Sequence, residues 1–231
     1  MSPLSVPASV SQATGVSAVL VRLRLETRVE HDATERLLDL MGSALTRAAY
    51  RQRLVQFYGF YSPLEAALQT RFAPSDGGQV WPKAQLATLL PRLNKTGLLR
   101  QDLQQLGVIT ENLPLCRQLP PIHTQAEVLG CMYVMEGATL GGRLITRHVH
   151  ATLGITPASG GRFFEGYGDD TSHMWQTMRQ LLVSGAVDAP TENAIVKNAV
   201  ATFACLRAWC QPASNSTGYQ TENHTEVAQR A

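Results

Sequence analysis

The sequence predicts a single all-α domain, and three observations lead to that prediction. Apolar residues recur at helical spacing through most of the chain, and no segment shows the alternation of a half-buried strand. No internal repeat with a period of roughly 20 to 50 residues is present. A length of 231 residues suits one domain with tails. We expect a disordered Ser/Pro/Ala-rich segment over residues 1–18, a helical domain over 19–211 and a flexible polar tail over 212–231.

The composition narrows the class of protein. With 44% hydrophobic and 16% charged residues, the chain can bury a sizeable core. The net charge of +2 is too weak, and too evenly spread, to indicate nucleic acid or an anionic membrane as the main partner. The chain has neither a signal peptide nor an apolar run of the roughly 20 residues that span a bilayer, so we expect a cytoplasmic protein. The four cysteines form no C-x-x-C pair, and we expect free, mostly buried thiols.

The first helix is predicted from Val19 to Leu40, ending before Gly42. Two of its faces are expected to be buried. One is an aliphatic stripe of Leu25, Val29, Ala33, Leu37 and Leu40. The other is a mixed face of Leu20, Arg24, Thr27, His31, Thr34 and Leu38.

The rest of the chain reads as further helices joined by loops. Pro63 is expected in the first turn of a third helix, because proline tolerates that position. Pro91 and Gly97 are expected to divide residues 83–106 into two short helices. The remaining elements are helices over 44–60, 63–72, 123–150, 170–184 and 190–210, and loops over 73–80, 113–121 and 156–170.

The long helix over 123–150 contains Gly130, Gly137, Gly141 and Gly142. Each glycine inside a helix costs about 0.8–1 kcal/mol relative to alanine, so four of them need a reason. Gly137 and Gly141 are four residues apart and therefore share one face. Three interpretations are open: close packing against another helix, a flat ligand against the bare backbone, or a kink.

The first helix carries the best candidate for a metal ligand, His31. Glu35 lies four residues later and can accept a hydrogen bond from the imidazole, which would fix its tautomer and orientation. Arg24 and Arg28 precede the histidine on nearby rows and could bind ligand carboxylates. The plain alternative is a surface His–Glu pair, which is common on helices.

The two unusual helices together resemble the bacterial haem oxygenases. LRLETRVEHDATERLL is similar to their proximal-helix motif, and YVMEGATLGGRLI is similar to their distal-helix motif. FFEGYGDDTSHMW and AVATFACLRAW resemble segments of the biliverdin-forming branch that is linked to bacterial phytochromes. The resemblance extends in order from about residue 19 to residue 210. It implies a single-domain haem oxygenase-like helical bundle.

The resemblance also implies roles for individual residues. His31 would be the proximal ligand of the haem iron, Glu35 would orient it, and Gly137 and Gly141 would lie over the other haem face. Ala138 and Ser172 stand where the family commonly has a serine and a glycine, and these departures bear on pocket hydration more than on activity. Further residues expected to contact the haem are Arg24, Thr27, Arg28, Arg143, Arg147, Phe203 and Arg207.

The implied activity is oxidative cleavage of haem b to biliverdin with release of CO and ferrous iron. Haem would serve as both substrate and prosthetic group, with O2 as co-substrate. The chain has no flavin or dinucleotide fingerprint, so electrons would come from a ferredoxin, a flavodoxin or a reductase. The product could supply a bacteriophytochrome with its chromophore, or the reaction could release iron.

Two other hypotheses stay open: a non-catalytic haem carrier or sensor on the same scaffold, and a helical protein without haem. A ferritin-like di-iron site is disfavoured because no Glu-x-x-His occurs. A nucleophilic hydrolase is disfavoured because no G-x-S-x-G occurs.

Overall fold

The structure, a computed structural model, describes residues 17–73 and 81–212. Within these ranges the chain forms helices and turns and no strand, which confirms the all-α prediction. The helices are α1 (Ala18–Glu26), α2 (Arg28–Leu38), α3 (Arg47–Phe72), α4 (Lys83–Leu89), α5 (Lys95–Gln105), α6 (Gln125–Leu153), α7 (Arg162–Glu165), α8 (Thr171–Gly185) and α9 (Ala189–Cys210), with 3-10 turns at Leu90–Arg92, Pro157–Ser159 and Gly168–Asp170.

The expected disordered lead-in and flexible tail fall almost wholly outside the described residues. The exceptions are Ser17, Ala18 and Pro212, and α1 already begins at Ala18. Of the loop expected over 73–80, only Ala73 is described.

The predicted first helix is two helices that meet at Thr27. The Thr27 hydroxyl donates to the carbonyl of Leu23 at 2.7 Å, and the Thr27 backbone N–H donates to the same carbonyl at 3.1 Å. The second helix ends at Leu38, where Asp39 adopts a left-handed conformation with a φ of 46°.

The prediction that the aliphatic stripe is buried is wrong for two of its residues. Leu25 is 62% exposed and Val29 is 75% exposed. On the mixed face Thr27, Thr34 and Leu38 are buried as predicted, but Arg24 and His31 are exposed. The reason is tertiary, because α9 packs broadly on α2 and its Phe203 ring contacts His31 of the mixed face.

The helices predicted over 44–60 and 63–72 form one helix, α3, with Pro63 in its interior. Proline has no N–H to donate to the carbonyl four residues earlier, that of Gly59. The N–H of Cys116 donates to this carbonyl instead, at 2.8 Å. A Cβ on Gly59 would lie 2.5 Å from the carbonyl oxygen of Pro114, so glycine also permits the connecting segment to approach.

Two carboxylates cap the short helices in the middle of the chain. Glu65 of α3 accepts from the backbone N–H groups of Lys95 and Thr96, at 2.6 and 3.0 Å, at the start of α5. That helix begins after the break at Pro91, as predicted, but Gly97 lies inside it rather than ending a helix.

Asp102 of α5 accepts from the backbone N–H groups of Arg162 and Phe163, both at 2.8 Å. These donors begin α7, so the segment predicted as a loop over 156–170 contains a short helix. Burial raises the pKa of Asp102 to about 6, against the opposing effect of the two N–H donors.

Helices α6, α8 and α9 lie close to their predicted positions. A capping box of Thr124 and Glu127 begins α6, and Gly154 ends it with a φ of 66°. All four cysteines are free thiols, and three of them are buried. Among the described helices, none is long and apolar enough to cross a membrane.

Candidate functional site

The candidate site is a cleft bordered by α9. Helix α9 packs along α6 on one side and against α1 and α2 on the other. Helices α2 and α6 contact each other only marginally, while α8 packs on α6 and reaches α1. Tyr133 of α6 lies against Thr27, where α1 meets α2. Gly137 and His31 each follow four residues later on the same helix faces, so we infer that the mixed face of α1 and α2 and the glycine-rich face of α6 border one cleft.

The four glycines of α6 separate into two pairs, and the first pair is explained by packing. A Cβ on Gly130 would overlap the backbone carbonyl of Ile195 on α9. A Cβ on Gly142 would overlap the backbone carbonyl of Phe164 on α7. At these two positions glycine allows another helix to approach the α6 backbone closely.

The second pair, Gly137 and Gly141, is not explained by packing. A Cβ on Gly141 would meet no atom within 4 Å, and a Cβ on Gly137 would meet only the Trp175 ring, at 4.0 Å. Alanine would fit both positions and would favour the helix by roughly 1 kcal/mol each. The α6 backbone is therefore left bare toward open space, as the flat-ligand interpretation requires.

His31 lies on α2 with 47% of its side chain exposed. Its ring contacts the Phe203 ring of α9 edge-on, with centroids 5.5 Å apart. Its Nδ1 is 3.4 Å from an Asp32 carboxylate oxygen, and its Nε2 is 3.7 Å from a Glu35 oxygen. Ligand atoms of His31, Asp32 and Glu35 all lie within 4.8 Å of one another.

Either imidazole nitrogen of His31 thus has a carboxylate nearby. The contact to Glu35 is too long for a hydrogen bond in this conformation. Sequence reasoning missed Asp32, because adjacent residues on a helix point in different directions and the motif drew attention to the i+4 position. The role proposed for Glu35 stays a prediction.

The candidate residues before His31 occupy different environments. Arg24 is exposed, and its charge lies close enough to the Tyr133 hydroxyl to act on the pKa of that phenol. Thr27 is buried beside the same hydroxyl. The Arg28 side chain is 74% exposed and lies 3.6 Å from Asp32.

The other three arginine candidates lie on α6 and α9, and two of them are near a carboxylate. Arg207 donates to Glu30 at 2.7 Å, which joins α9 to α2. Arg143 lies on the surface, 3.7 Å from Asp169. Arg147 is exposed.

Tyr133 and Trp175 also border the cleft and were not singled out from the sequence. Their rings lie 5.8 Å apart, and the Trp175 ring is the nearest group to Gly137. Burial raises the pKa of Tyr133, with Thr27 and Arg24 acting in the opposite direction, so the phenol stays protonated at neutral pH.

An open groove of about 460 Å³ lies between the start of α1 and α8. Leu20 and Arg179 are among its lining residues. Leu20 lies four residues before Arg24 and Arg179 lies four residues after Trp175, so the groove follows the same helix faces as the cleft. That helical spacing from Trp175 was the only sequence signal that could have found Arg179.

Comparison with known proteins identifies the family of this chain. The heme oxygenase family model matches residues 17–212. No curated protein sequence matches the chain.

Several solved structures share the fold. The NO- and CO-bound heme oxygenase of Neisseria meningitidis is 19% identical, with a TM-score of 0.65 over 87% of this chain and 96% of that one. Heme oxygenase 2 of Chlamydomonas reinhardtii without heme is 18% identical, with a TM-score of 0.66 over 83% and 95% of the two chains. Heme oxygenase-2 of the cyanobacterium Synechocystis, in complex with heme and NO, is 21% identical, with a TM-score of 0.60 over 83% of each chain.

The chain is an all-α helical bundle with the fold of these heme oxygenase structures. The chain belongs to the heme oxygenase family. This membership supports a haem-degrading enzyme, and the open face at Gly137 and Gly141 fits a flat ligand.

Proposed function

We propose that this chain cleaves haem oxidatively to biliverdin, with release of CO and ferrous iron. The observation that carries the proposal is the bare helix backbone at Gly137 and Gly141, on the face of α6 whose Tyr133 lies beside Thr27, one turn before His31. Close packing accounts for the other two glycines of that helix, so the open pair requires a separate explanation. A flat macrocycle against the backbone provides it.

His31 would hold the iron through one imidazole nitrogen. The other nitrogen would donate to Asp32 or Glu35, which keeps the ring orientation and raises its basicity. Phe203 contacts the imidazole edge-on and limits its rotation. The exposure of His31 leaves space for a ligand on this side of α2.

When bound, haem supplies both the iron that activates O2 and the ring that is oxidised. Gly137 and Gly141 would keep side chains away from the ring and leave space for a small ligand and water. Ala138 adds no hydroxyl there, and we propose that water, rather than a side chain, delivers the proton that the reaction consumes.

Arg24, Arg28, Arg143 and Arg147 are the proposed candidates for binding the haem propionates, since each has an exposed guanidinium. Arg207 would have to leave Glu30 to reach a propionate. We therefore propose that it holds α2 on α9 beside Phe203.

Electrons would come from an external ferredoxin, flavodoxin or reductase, because the chain carries no fingerprint for a flavin or dinucleotide. The segment FFEGYGDDTSHMW favours chromophore supply to a bacteriophytochrome over iron release, by resemblance alone.

An absorption time course tests this function. Haem is added to the purified chain, followed by a reductant under air. Decay of the Soret band with growth of broad red absorbance from biliverdin is the expected result. A Soret band that survives repeated reduction would instead indicate a carrier or sensor, and no Soret shift would exclude haem binding.

His31→Ala tests the ligand assignment in the same assay, and His150→Ala is its matched control. His150 is an exposed histidine near the end of α6. We expect H31A to lose the ligated Soret spectrum and turnover, while H150A retains both. An unchanged Soret spectrum in H31A would refute the assignment.

A further inference from the structure

A buried polar cluster lies behind the open glycine face of α6. Glu136 comes immediately before Gly137, and its side chain is 1% exposed. Its carboxylate accepts from the Arg92 guanidinium, from Lys95 Nζ at 2.9 Å and from the Tyr167 hydroxyl at 2.9 and 3.0 Å. We call these four residues, Glu136, Arg92, Lys95 and Tyr167, the Glu136 cluster.

Arg92 connects three helices from the centre of this cluster. Its Nε donates to the Thr88 carbonyl of α4 at 2.9 Å, and its Nη1 donates to Glu136 of α6. Its Nη2 donates to the Met174 carbonyl of α8 at 3.0 Å. The three nitrogens of the planar guanidinium each reach a different acceptor, whereas the N–H groups of a lysine ammonium all leave from one nitrogen.

The two partners of this guanidinium on α6 and α8 are each followed by a residue of the cleft. Gly137 follows Glu136, and Trp175 follows Met174. The Trp175 ring is the nearest group to a Cβ placed on Gly137, at 4.0 Å, and it lies 5.8 Å from the Tyr133 ring. The guanidinium is therefore hydrogen-bonded to the residue immediately before Gly137 on α6 and to the residue immediately before Trp175 on α8.

Stability alone is a weak reason for such a cluster. Taking two cations and a carboxylate out of water is costly, and apolar residues of similar volume often give equal or higher stability. Buried ionic groups are better attested where they select one arrangement of the elements they join. Here the elements joined are the two helices that carry Gly137 and Trp175.

We propose that Arg92 is a positioning residue that fixes the gap between Gly137 on α6 and Trp175 on α8. The cluster holds the two helix backbones at one separation, and that separation sets the room available at the glycine face. That this room receives haem rests on the proposed function, but the positioning role does not.

Fluorine NMR of the haem-free protein, labelled with 5-fluorotryptophan, tests the positioning role. The chain has three tryptophans and should give three resonances. Trp175→Phe assigns the signal of Trp175. In Arg92→Lys, which keeps the charge but loses the link to the Met174 carbonyl, we expect the Trp175 resonance to shift or broaden and the other two to stay.

Arg53→Lys is the matched control. Arg53 also donates to a backbone carbonyl, that of Leu38 at 2.9 Å, and to the Gln56 side chain at 3.0 Å. The Gln56 carbonyl in turn accepts from Trp209 Nε1 at 2.7 Å. R53K should therefore perturb Trp209 and leave Trp175 unchanged, the reverse of R92K.

A haem titration followed by the Soret band links this role to the site. We expect R92K to bind haem about 5- to 10-fold more weakly, because binding would have to restore a helix separation that the haem-free variant no longer holds. An unchanged Trp175 resonance in folded R92K would overturn the inference. If R92K does not fold, Glu136→Gln replaces it, since it keeps the volume and removes the charge, and the same Trp175 shift is expected. An unchanged Trp175 resonance in E136Q would then overturn the inference.

The outcomes separate the two proposals. A shifted Trp175 signal in R92K, in a protein that binds no haem, supports the positioning role and refutes the proposed function. Normal haem turnover by the wild type with an unshifted Trp175 signal in R92K refutes the positioning role alone.

Discussion

Replacing the glycines of α6 by alanine should change the stability of the protein in opposite directions at the two pairs. The open pair should be stabilised by the substitution and the packed pair destabilised. The substitution is chemically identical at Gly130, Gly137, Gly141 and Gly142, and all four lie inside one helix. Only the surroundings differ, because the first and last meet a neighbouring backbone and the middle two face open space.

The magnitudes follow from two opposing effects. Helix propensity alone favours alanine over glycine by about 0.8–1 kcal/mol. At Gly137 and Gly141 nothing opposes this gain, so G137A and G141A should raise the free energy of unfolding by about 0.5–1 kcal/mol each. At Gly130 and Gly142 the new methyl group overlaps a carbonyl oxygen, and overpacking of this kind costs about 1–3 kcal/mol or more. Both variants should be destabilised overall.

Urea unfolding of the haem-free proteins, followed by circular dichroism, measures these changes. A constant m-value with a shifted midpoint would identify a change in stability itself. In the haem assay, G141A and the bulkier Gly141→Leu should still bind haem but should turn it over more slowly than the wild type does. For G141A this loss of activity should occur although the variant is more stable than the wild type. Destabilised G137A and G141A, or stabilised G130A and G142A, would refute the assignment of the two glycine pairs.

Two further predictions concern the carboxylates that cap buried helix ends. The folded-state pKa of Asp102 is about 6, above its usual value of 3.8, so its stabilising contribution is complete below pH 3.8 and is lost as the pH rises through 6. Wild type should therefore lose stability relative to Asp102→Asn over that interval, and parallel curves of unfolding free energy against pH would contradict the shifted pKa. Glu65→Ala should lower the free energy of unfolding by about 2–3 kcal/mol, because it leaves the N–H groups of Lys95 and Thr96 without their acceptor. A loss below about 0.5 kcal/mol in urea unfolding would show that this cap contributes little.

The local signals in the sequence were sufficient for most helices, because periodicity and capping residues act within a few positions. The helices α6, α8 and α9 lie near their predicted bounds for that reason. The prediction was wrong at Pro63, where a helix continues because the distant Cys116 N–H replaces the missing donor. No pattern around Pro63 itself contains that information.

Which residues of α1 and α2 are buried also depended on contacts with distant parts of the chain. The stripe of Leu25 and Val29 looked like a core face, yet α9 packs on the opposite side and leaves both exposed. Which face of an amphipathic helix is covered depends on where its neighbours lie, and two candidate faces cannot be ranked by spacing alone.

The sequence by itself determined the helical class and the excess of glycines in one helix, and it predicted His31 as a ligand. Tertiary structure decided which glycines are covered, because the atoms that meet Gly130 and Gly142 belong to residues distant along the chain. It also assembled the Glu136 cluster, whose members are separated by up to 75 residues, from Arg92 to Tyr167. Contacts of this kind depend on how helices pack, and packing is decided by the whole core rather than by any local segment.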